Sequence, residues 1–398
     1  MSEKLAIHGG TPVRSSPLHY GQQFIDEDDI RAVAEVLREP LITTGPHVSQ
    51  LEKDLCDLTG AKYAVAVSNG TAALHVACLA AGINAGDEVI VTPMTFAASA
   101  NCILYCGATP VFADIDPETY NILPQAIHEK ITEKTKAIIA VDFTGQAVEL
   151  DEIRAICEQY HLVLIEDAAH SIGTKYNGRA IGSIADMTTF SFHPVKTVTS
   201  GEGGAVLTNS RSLYERLSLF RTHGITRDPA LMVSETEGKW YYEQILLGYN
   251  YRMTDFQAAL LSSQLRKLPR FAARRKEIVA KYDEAFAKLD GVIVQKDIPE
   301  SDTVRHLYML RLDFSVVHAT RREVFDALYA ENICCNVHYI PVYYHPYYQQ
   351  LGYKKNLCPN AEKLYRESIT LPLFPAMTDQ DVEDVIAAVV KVISIYLE

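Results

Sequence analysis

The sequence predicts an α/β fold: a large, mostly parallel seven-stranded sheet domain followed by a smaller α+β domain. Three observations carry this. Seven short β-rich runs lie between residues 64 and 208. Most are separated by about twenty residues, room for a helix and two loops. Several are apolar throughout rather than alternately, as strands covered on both faces tend to be. Past Leu265 the pattern changes to long charged helices with isolated strands.

In chain order, residues 1–25 read as an N-terminal arm. Asp26–Arg38 reads as a helix: acidic residues open it, as its dipole favours, and Ile30, Val33, Ala34 and Leu37 form an apolar stripe. The runs follow at Ala64–Val67, Glu88–Val91, Pro110–Ala113, Ala137–Val141, Leu162–Ile165, Thr188–Phe192 and Ala205–Leu207. Strand–helix alternation of this kind builds parallel sheets, and ligands gather at the carboxyl ends of the strands. The boundary falls in the 255–270 region. It is set here to give a large domain over 26–260 and a small one over 261–398. The apolar stretch Val385–Leu397 is cut by Lys391 and too short for a membrane span, so it reads as a packed amphipathic helix.

The chain has 398 residues and a net charge of −13. Such an acidic balance argues against a nucleic-acid partner, which needs Lys and Arg against phosphates. Arg270, Arg274, Arg275 and Lys276 form a local basic spot, read as a solvated helix face. No basic segment followed by a long apolar one opens the chain, so no secretory signal and no membrane association are expected. The eight cysteines include no Cys-x-x-Cys. They read as reduced, buried small hydrophobes of a cytoplasmic protein, and no metal site is expected.

Three segments carry chemistry. In Ala66–Gly82, a strand ends at an Asn69-Gly70 turn and a helix starts at once. Free N–H groups and the helix dipole make that start an anion site, with Thr71 as a further donor. Simple helix capping fits the same residues. The segment matches neither Gly-x-Gly-x-x-Gly nor the P-loop pattern, which disfavours nicotinamide dehydrogenases and P-loop enzymes. In Leu162–Ser171, Asp167 falls where an apolar strand emerges, placed to cap a helix or to hold a ligand's positive charge. In Thr188–Gly204, Lys196 follows a buried strand beside Pro194 and Val195. A lysine withdrawn from water loses proton affinity and becomes a Schiff-base nucleophile. An anion cradle, a carboxylate at a strand end and a desolvated lysine in one sheet are what pyridoxal 5'-phosphate requires.

The ordered motifs Leu41–Pro46, Ser68–Leu74, Glu166–Ser171, Ser191–Lys196, Gly201–Gly204 and Gly248–Asp255 resemble the DegT/DnrJ/EryC1/StrS family over roughly residues 20–395. These are nucleotide-sugar aminotransferases of the fold-type-I, aspartate aminotransferase-like class. The resemblance implies that Lys196 binds the cofactor covalently and then moves protons. It also implies that Asp167 pairs with the ring nitrogen, and that Gly70, Thr71, Ala72 and Ser191 hold the phosphate. Phe96 takes the place of the aromatic stacked on the ring, and His170 that of a contact to the ring hydroxyl. Asn250, with Arg252 as a possible sharer, resembles the residue given across a homodimer interface to the neighbour's phosphate. A dehydratase branch of the family carries histidine in place of the lysine, so Lys196 favours transamination. The rival from another class, a non-catalytic sensor, has no use for that lysine.

The stretches Tyr20–Ile30, His193–Lys196 and His338–Tyr348 look most like one subgroup. Its members make UDP-4-amino-4,6-dideoxy-N-acetyl-β-L-altrosamine on the route to pseudaminic acid. The implied substrates are L-glutamate and a UDP-linked 4-keto-6-deoxy-N-acetylhexosamine, with Tyr20, His338 and Tyr339 as sugar contacts. A packed loop of tyrosines and prolines is the lesser alternative for 338–348. UDP-4-keto-6-deoxy-D-GlcNAc, UDP-4-keto-arabinose and GDP-4-keto-6-deoxy-mannose would preserve every cofactor motif.

Overall fold

A computed structural model describes residues 4–397. All seven runs become strands of one sheet: β1 Tyr63–Val67, β2 Glu88–Val91, β3 Thr109–Phe112, β4 Thr135–Val141, β5 Val163–Asp167, β6 Met187–Ser191 and β7 Gly204–Thr208. Their spatial order is β1-β7-β6-β5-β4-β2-β3. Neighbours are parallel except at β7, which runs antiparallel to both β1 and β6. The strands are buried on both faces, which explains their continuous apolarity. One core lies on each face of this sheet, and a third lies in the C-terminal half.

The helix Asp255–Phe286 has 32 residues and runs straight through the 260/261 division. The C-terminal half is also shared out. Tyr343, Tyr348, Cys358 and Leu364 belong to a core of the large sheet, while Leu5 and Leu18 of the arm belong to the third core. Leu18–His19 pairs in parallel with Ile333–Cys334, so the arm over its described residues is part of the small domain's packing.

The first helix is shorter than predicted, Glu27–Val36, and Asp26 caps it in a capping box with Asp29. Half of its apolar stripe faces solvent, with Ile30 53% exposed and Leu37 57%, while Val33 and Ala34 are half-buried. The face that packs on Asp255–Phe286 carries Asp29 instead, fully buried against Lys267 and Gln264. A paired acid, together with the buried Val36, takes the place of the stripe that periodicity implied.

The reading of the basic spot also needs correction at Arg275. Its side chain is buried and donates to the carbonyls of Arg305, His306 and Leu373. There it ties the long helix to the C-terminal half. Arg274 remains at the surface, paired with Glu277 and Asp379. The eight cysteines are unbridged, although Cys56 and Cys106 are only half-buried. The last helix, Asp379–Leu397, packs as predicted and buries Lys391 against Glu331 at 3.0 Å.

Candidate active site

A cavity of about 900 Å³ opens at the carboxyl ends of β1, β5 and β6. It brings together Tyr20, Gly70, Thr71, Ala72, Phe96, Asp167, His170, Ser191, Lys196, His338 and Tyr339. Of the predicted site residues, only Asn250 and Arg252 are absent from its lining.

The turn after β1 builds one wall. Asn69 caps the helix Gly70–Ala80, its Oδ1 accepting the Ala72 N–H at 2.8 Å. That N–H is therefore already committed to the cap. Gly70 and Thr71 remain in the first turn, where N–H groups lack intrahelical acceptors. A Cβ on Gly70 would lie 2.7 Å from Ser191 Cβ and 2.9 Å from its Oγ, so only glycine lets the turn close on β6. Gly204 of β7 backs the same turn: a Cβ there would sit 2.4 Å from the Asn69 carbonyl oxygen. The result is a tight cradle of backbone donors and the Ser191 hydroxyl, suited to a phosphate.

Asp167 ends β5 and is buried. Burial pushes its carboxyl up, while Ser99, the Ala169 N–H and Lys196 act against that shift. Ser99 Oγ donates to Oδ2 at 2.7 Å, and Ala169 N donates to Oδ1 at 3.2 Å. Lys196 follows β6 in the turn that starts at His193. Withdrawal from water lowers its ammonium to about 8, against an opposing pull from Asp167. An amine so depressed is half deprotonated at about pH 8 and keeps roughly a tenth as free amine at pH 7, enough for a nucleophile and proton carrier.

His170 is buried, and burial, with Lys196 nearby, drives its pKa well below the ordinary value. Its Nε2 lies 3.3 Å from the Tyr339 hydroxyl and its Nδ1 has no partner. Phe96, at 62% exposure, stands free over the cavity with Tyr339 6.3 Å away. Tyr20 packs its ring 5.3 Å from that of His338, whose Nδ1 meets Thr370 Oγ1 at 2.9 Å. Burial lowers His338 to about 4. The 338–339 pair is thus both packed loop and cavity wall.

Asn250 is exposed and bridges to Thr222, and Arg252 bridges to Val67 at the end of β1. Tyr251 between them lines the cavity, and its carbonyl accepts the Ser68 N–H at 2.8 Å. Both predicted residues therefore stand next to the cradle, outside this chain's own cavity.

Three contributors were missed. Ser99 and Thr95 sit at i and i+4 with their hydroxyls 2.8 Å apart, beneath Asp167. That spacing was available in the sequence, but the segment reads as apolar. His306 lines the cavity with its ring 4.6 Å from that of His170, and nothing local in the sequence marks it.

The donor set fits pyridoxal phosphate. It offers a buried carboxylate, a cradle that a single Cβ would fill, and a lysine with lowered proton affinity in one cavity.

Comparison with known proteins agrees. The family model described as the DegT/DnrJ/EryC1/StrS aminotransferase family matches residues 23–390. The spore coat polysaccharide biosynthesis protein SpsC of Bacillus subtilis (strain 168) is 43% identical over 94% of this chain and 97% of its own. Among solved structures, Helicobacter pylori PseC, an aminotransferase involved in the biosynthesis of pseudoaminic acid, superposes with a TM-score of 0.89 at 31% identity. It covers 96% of this chain and 100% of its own. Spr1654 of Streptococcus pneumoniae in its PLP form gives a TM-score of 0.88 at 32% identity over 96% and 100%. The chain belongs to the DegT/DnrJ/EryC1/StrS aminotransferase family and is a pyridoxal-phosphate-dependent sugar aminotransferase.

Proposed function

We propose that this enzyme moves an amino group from L-glutamate to C4 of a UDP-linked 4-keto-6-deoxy-N-acetylhexosamine. The products are UDP-4-amino-4,6-dideoxy-N-acetyl-β-L-altrosamine and 2-oxoglutarate. The observation that carries the reading is Lys196, lowered to about 8 and facing the charge of Asp167. The likeness to PseC supports the choice of sugar.

Bound pyridoxal phosphate supplies the carbonyl that carries the amino group and a ring that draws electrons from the reacting carbon. This chain's residues supply the rest. The Lys196 amine takes the proton from the donor's Cα and delivers one to sugar C4, whose configuration it thereby sets. Asp167, held by Ser99 and Ala169, keeps the ring nitrogen protonated. Gly70, Thr71 and Ser191 hold the phosphate; Ala72 contributes through the cap and the helix dipole. Phe96 covers the ring and His170 meets its hydroxyl. In a homodimer, Asn250 or Arg252 reaches the neighbour's phosphate. Tyr20, His338 and Tyr339 form the sugar side, their rings suited to sugar and base faces. Eight unbridged cysteines support a reducing, cytoplasmic setting.

A second acceptor has one observation in its favour. Identity to SpsC is 43%, against 31% to PseC, which fits another 4-keto nucleotide sugar on the same machinery. The deciding experiment offers L-glutamate with a panel of UDP-, GDP- and dTDP-4-keto sugars and determines the C4 configuration of the amino product. An altro product from the UDP substrate supports the first reading. Turnover of a different nucleotide sugar alone, or the opposite C4 configuration, replaces it.

A further inference from the structure

A second group of carboxyls lies behind Asp167. Glu166 and Asp167 are consecutive on β5, so their side chains leave the sheet on opposite faces. Asp167 points to the cavity. β4 pairs Ala140 with Glu166, and Asp142, two residues beyond Ala140, falls on the Glu166 face. Glu166 and Asp142 are both fully buried. Asp142 accepts from Ser171 Oγ at 2.5 Å and from Val148 N at 3.0 Å. Glu166 Oε2 accepts from Thr188 Oγ1 at 2.7 Å, but its Oε1 is buried without a donor.

Asp142 and Glu166 thus lie on one face at the ends of paired strands, and the charged groups felt by the pair are each other and Asp167. Ser171 and Thr188, from the turn after β5 and from β6, bring only neutral hydroxyls. Neither acid has an ion-pair partner among the described residues. Two ionised carboxylates in buried contact without a cation repel at prohibitive cost. One proton between them turns that contact into an O–H···O⁻ bond and gives Oε1 its missing partner. Burial raises both groups, Glu166 to about 7.

We propose that Glu166 and Asp142 share a proton and act as one positioning pair, limiting the negative charge behind Asp167 so that Asp167 stays ionised toward the cofactor ring. The proposal rests on the reading of Asp167 given above and is independent of which sugar is used.

Infrared spectra of the apoenzyme at about pH 6, below the step near 7, test the pair directly, because ordinary carboxyls are already almost fully ionised there. A carboxylic-acid C=O stretch is expected in the wild type and its loss in Glu166→Gln, where an amide donor replaces the shared proton. The holoenzyme supplies the second readout. Its cofactor absorbance is expected to show a titration step near 7 in the wild type that is absent from Glu166→Gln, with cofactor still bound. Asp142→Asn is expected to match Glu166→Gln and guards against one variant failing to fold. Absence of the wild-type band, or an unchanged step in both variants, overturns the proposal. Asp167→Asn separates the premises: if it leaves cofactor binding intact, the reading of Asp167 fails while the infrared result still stands for the pair.

Discussion

Replacing Ser99 by alanine tests how Asp167 is kept charged. The mutation deletes one oxygen from a buried site and with it the 2.7 Å hydrogen bond to Oδ2, leaving the 3.2 Å contact from Ala169 N and the pull of Lys196. A hydrogen bond to a charged group contributes about 1.5–3 kcal/mol. At about 1.4 kcal/mol per decade, that is roughly 10- to 150-fold in cofactor affinity. The sign with pH follows from burial, which already raises Asp167. Without Ser99 the carboxyl rises further, so the ionised form is lost earlier as pH falls and the variant's deficit widens toward acid. Thr95 Oγ1, 2.8 Å from Ser99 Oγ, can swing into the gap, so Thr95→Val/Ser99→Ala should reach the upper end of the range. The assay is a spectroscopic titration of apoenzyme with pyridoxal phosphate at neutral and acid pH, beside a thermal melt. Affinity within about twofold of wild type for the double variant at both pH values, far below the expected 1.5–3 kcal/mol, refutes the reasoning.

Other perturbations reach different parts of the molecule. Lys196 is lowered from 10.5 to about 8, so between those values the unfolded chain holds a proton that the folded apoenzyme has released. Apoenzyme stability should therefore rise with pH across that window, by at most about 3 kcal/mol, in urea titrations, and Lys196→Met should lack the rise. Gly204→Ala drives a Cβ to 2.4 Å from the Asn69 carbonyl oxygen, backbone that cannot swing aside. It should cost about 1–3 kcal/mol and abolish cofactor retention before it unfolds the protein, as gel filtration followed by absorbance would reveal. Lys391→Met strands the fully buried Glu331 carboxylate, which also accepts the Ala6 and Val13 N–H groups. A loss of about 3–5 kcal/mol is expected, with faster proteolysis of the arm; unchanged denaturation would show the pair to be dispensable.

The large sheet was legible because each strand is covered on both faces and so writes itself as an unbroken apolar run between turn residues. The cofactor groups were legible for a related reason: Gly70, Asp167, Ser191 and Lys196 all sit where such a run ends. What escaped depends on partners remote in the chain. Ile30 and Leu37 have helical spacing, but Asp29 finds Lys267 and Gln264, and the helix turns that face inward. Arg275 looks like its charged neighbours until three carbonyls from residues 305, 306 and 373 converge on it. The single cut at 260/261 failed to anticipate a helix continuous across it, since a change in composition need not coincide with a break in structure. Ser99 and His306 matter only through what they touch, Asp167 and His170.

The arm's anchorage bears on how the protein comes to be assembled. The contacts that seat it join positions 325 and 380 residues apart, Ala6 to Glu331 and Thr11 to Lys391. Closing so long a loop adds little equilibrium cost, because that cost grows only logarithmically with length, but it must await the far end of the chain. The phosphate cradle and its carboxylate draw on residues 69–204 alone and can form while the C-terminus is still being made. Tyr20, carried by the arm, has no wall to lean on until His338 arrives and Leu373 takes up its carbonyl. The arm, made long before the residues that seat it, is thus among the last parts to settle, and the sugar side of the cavity is finished after the cofactor side.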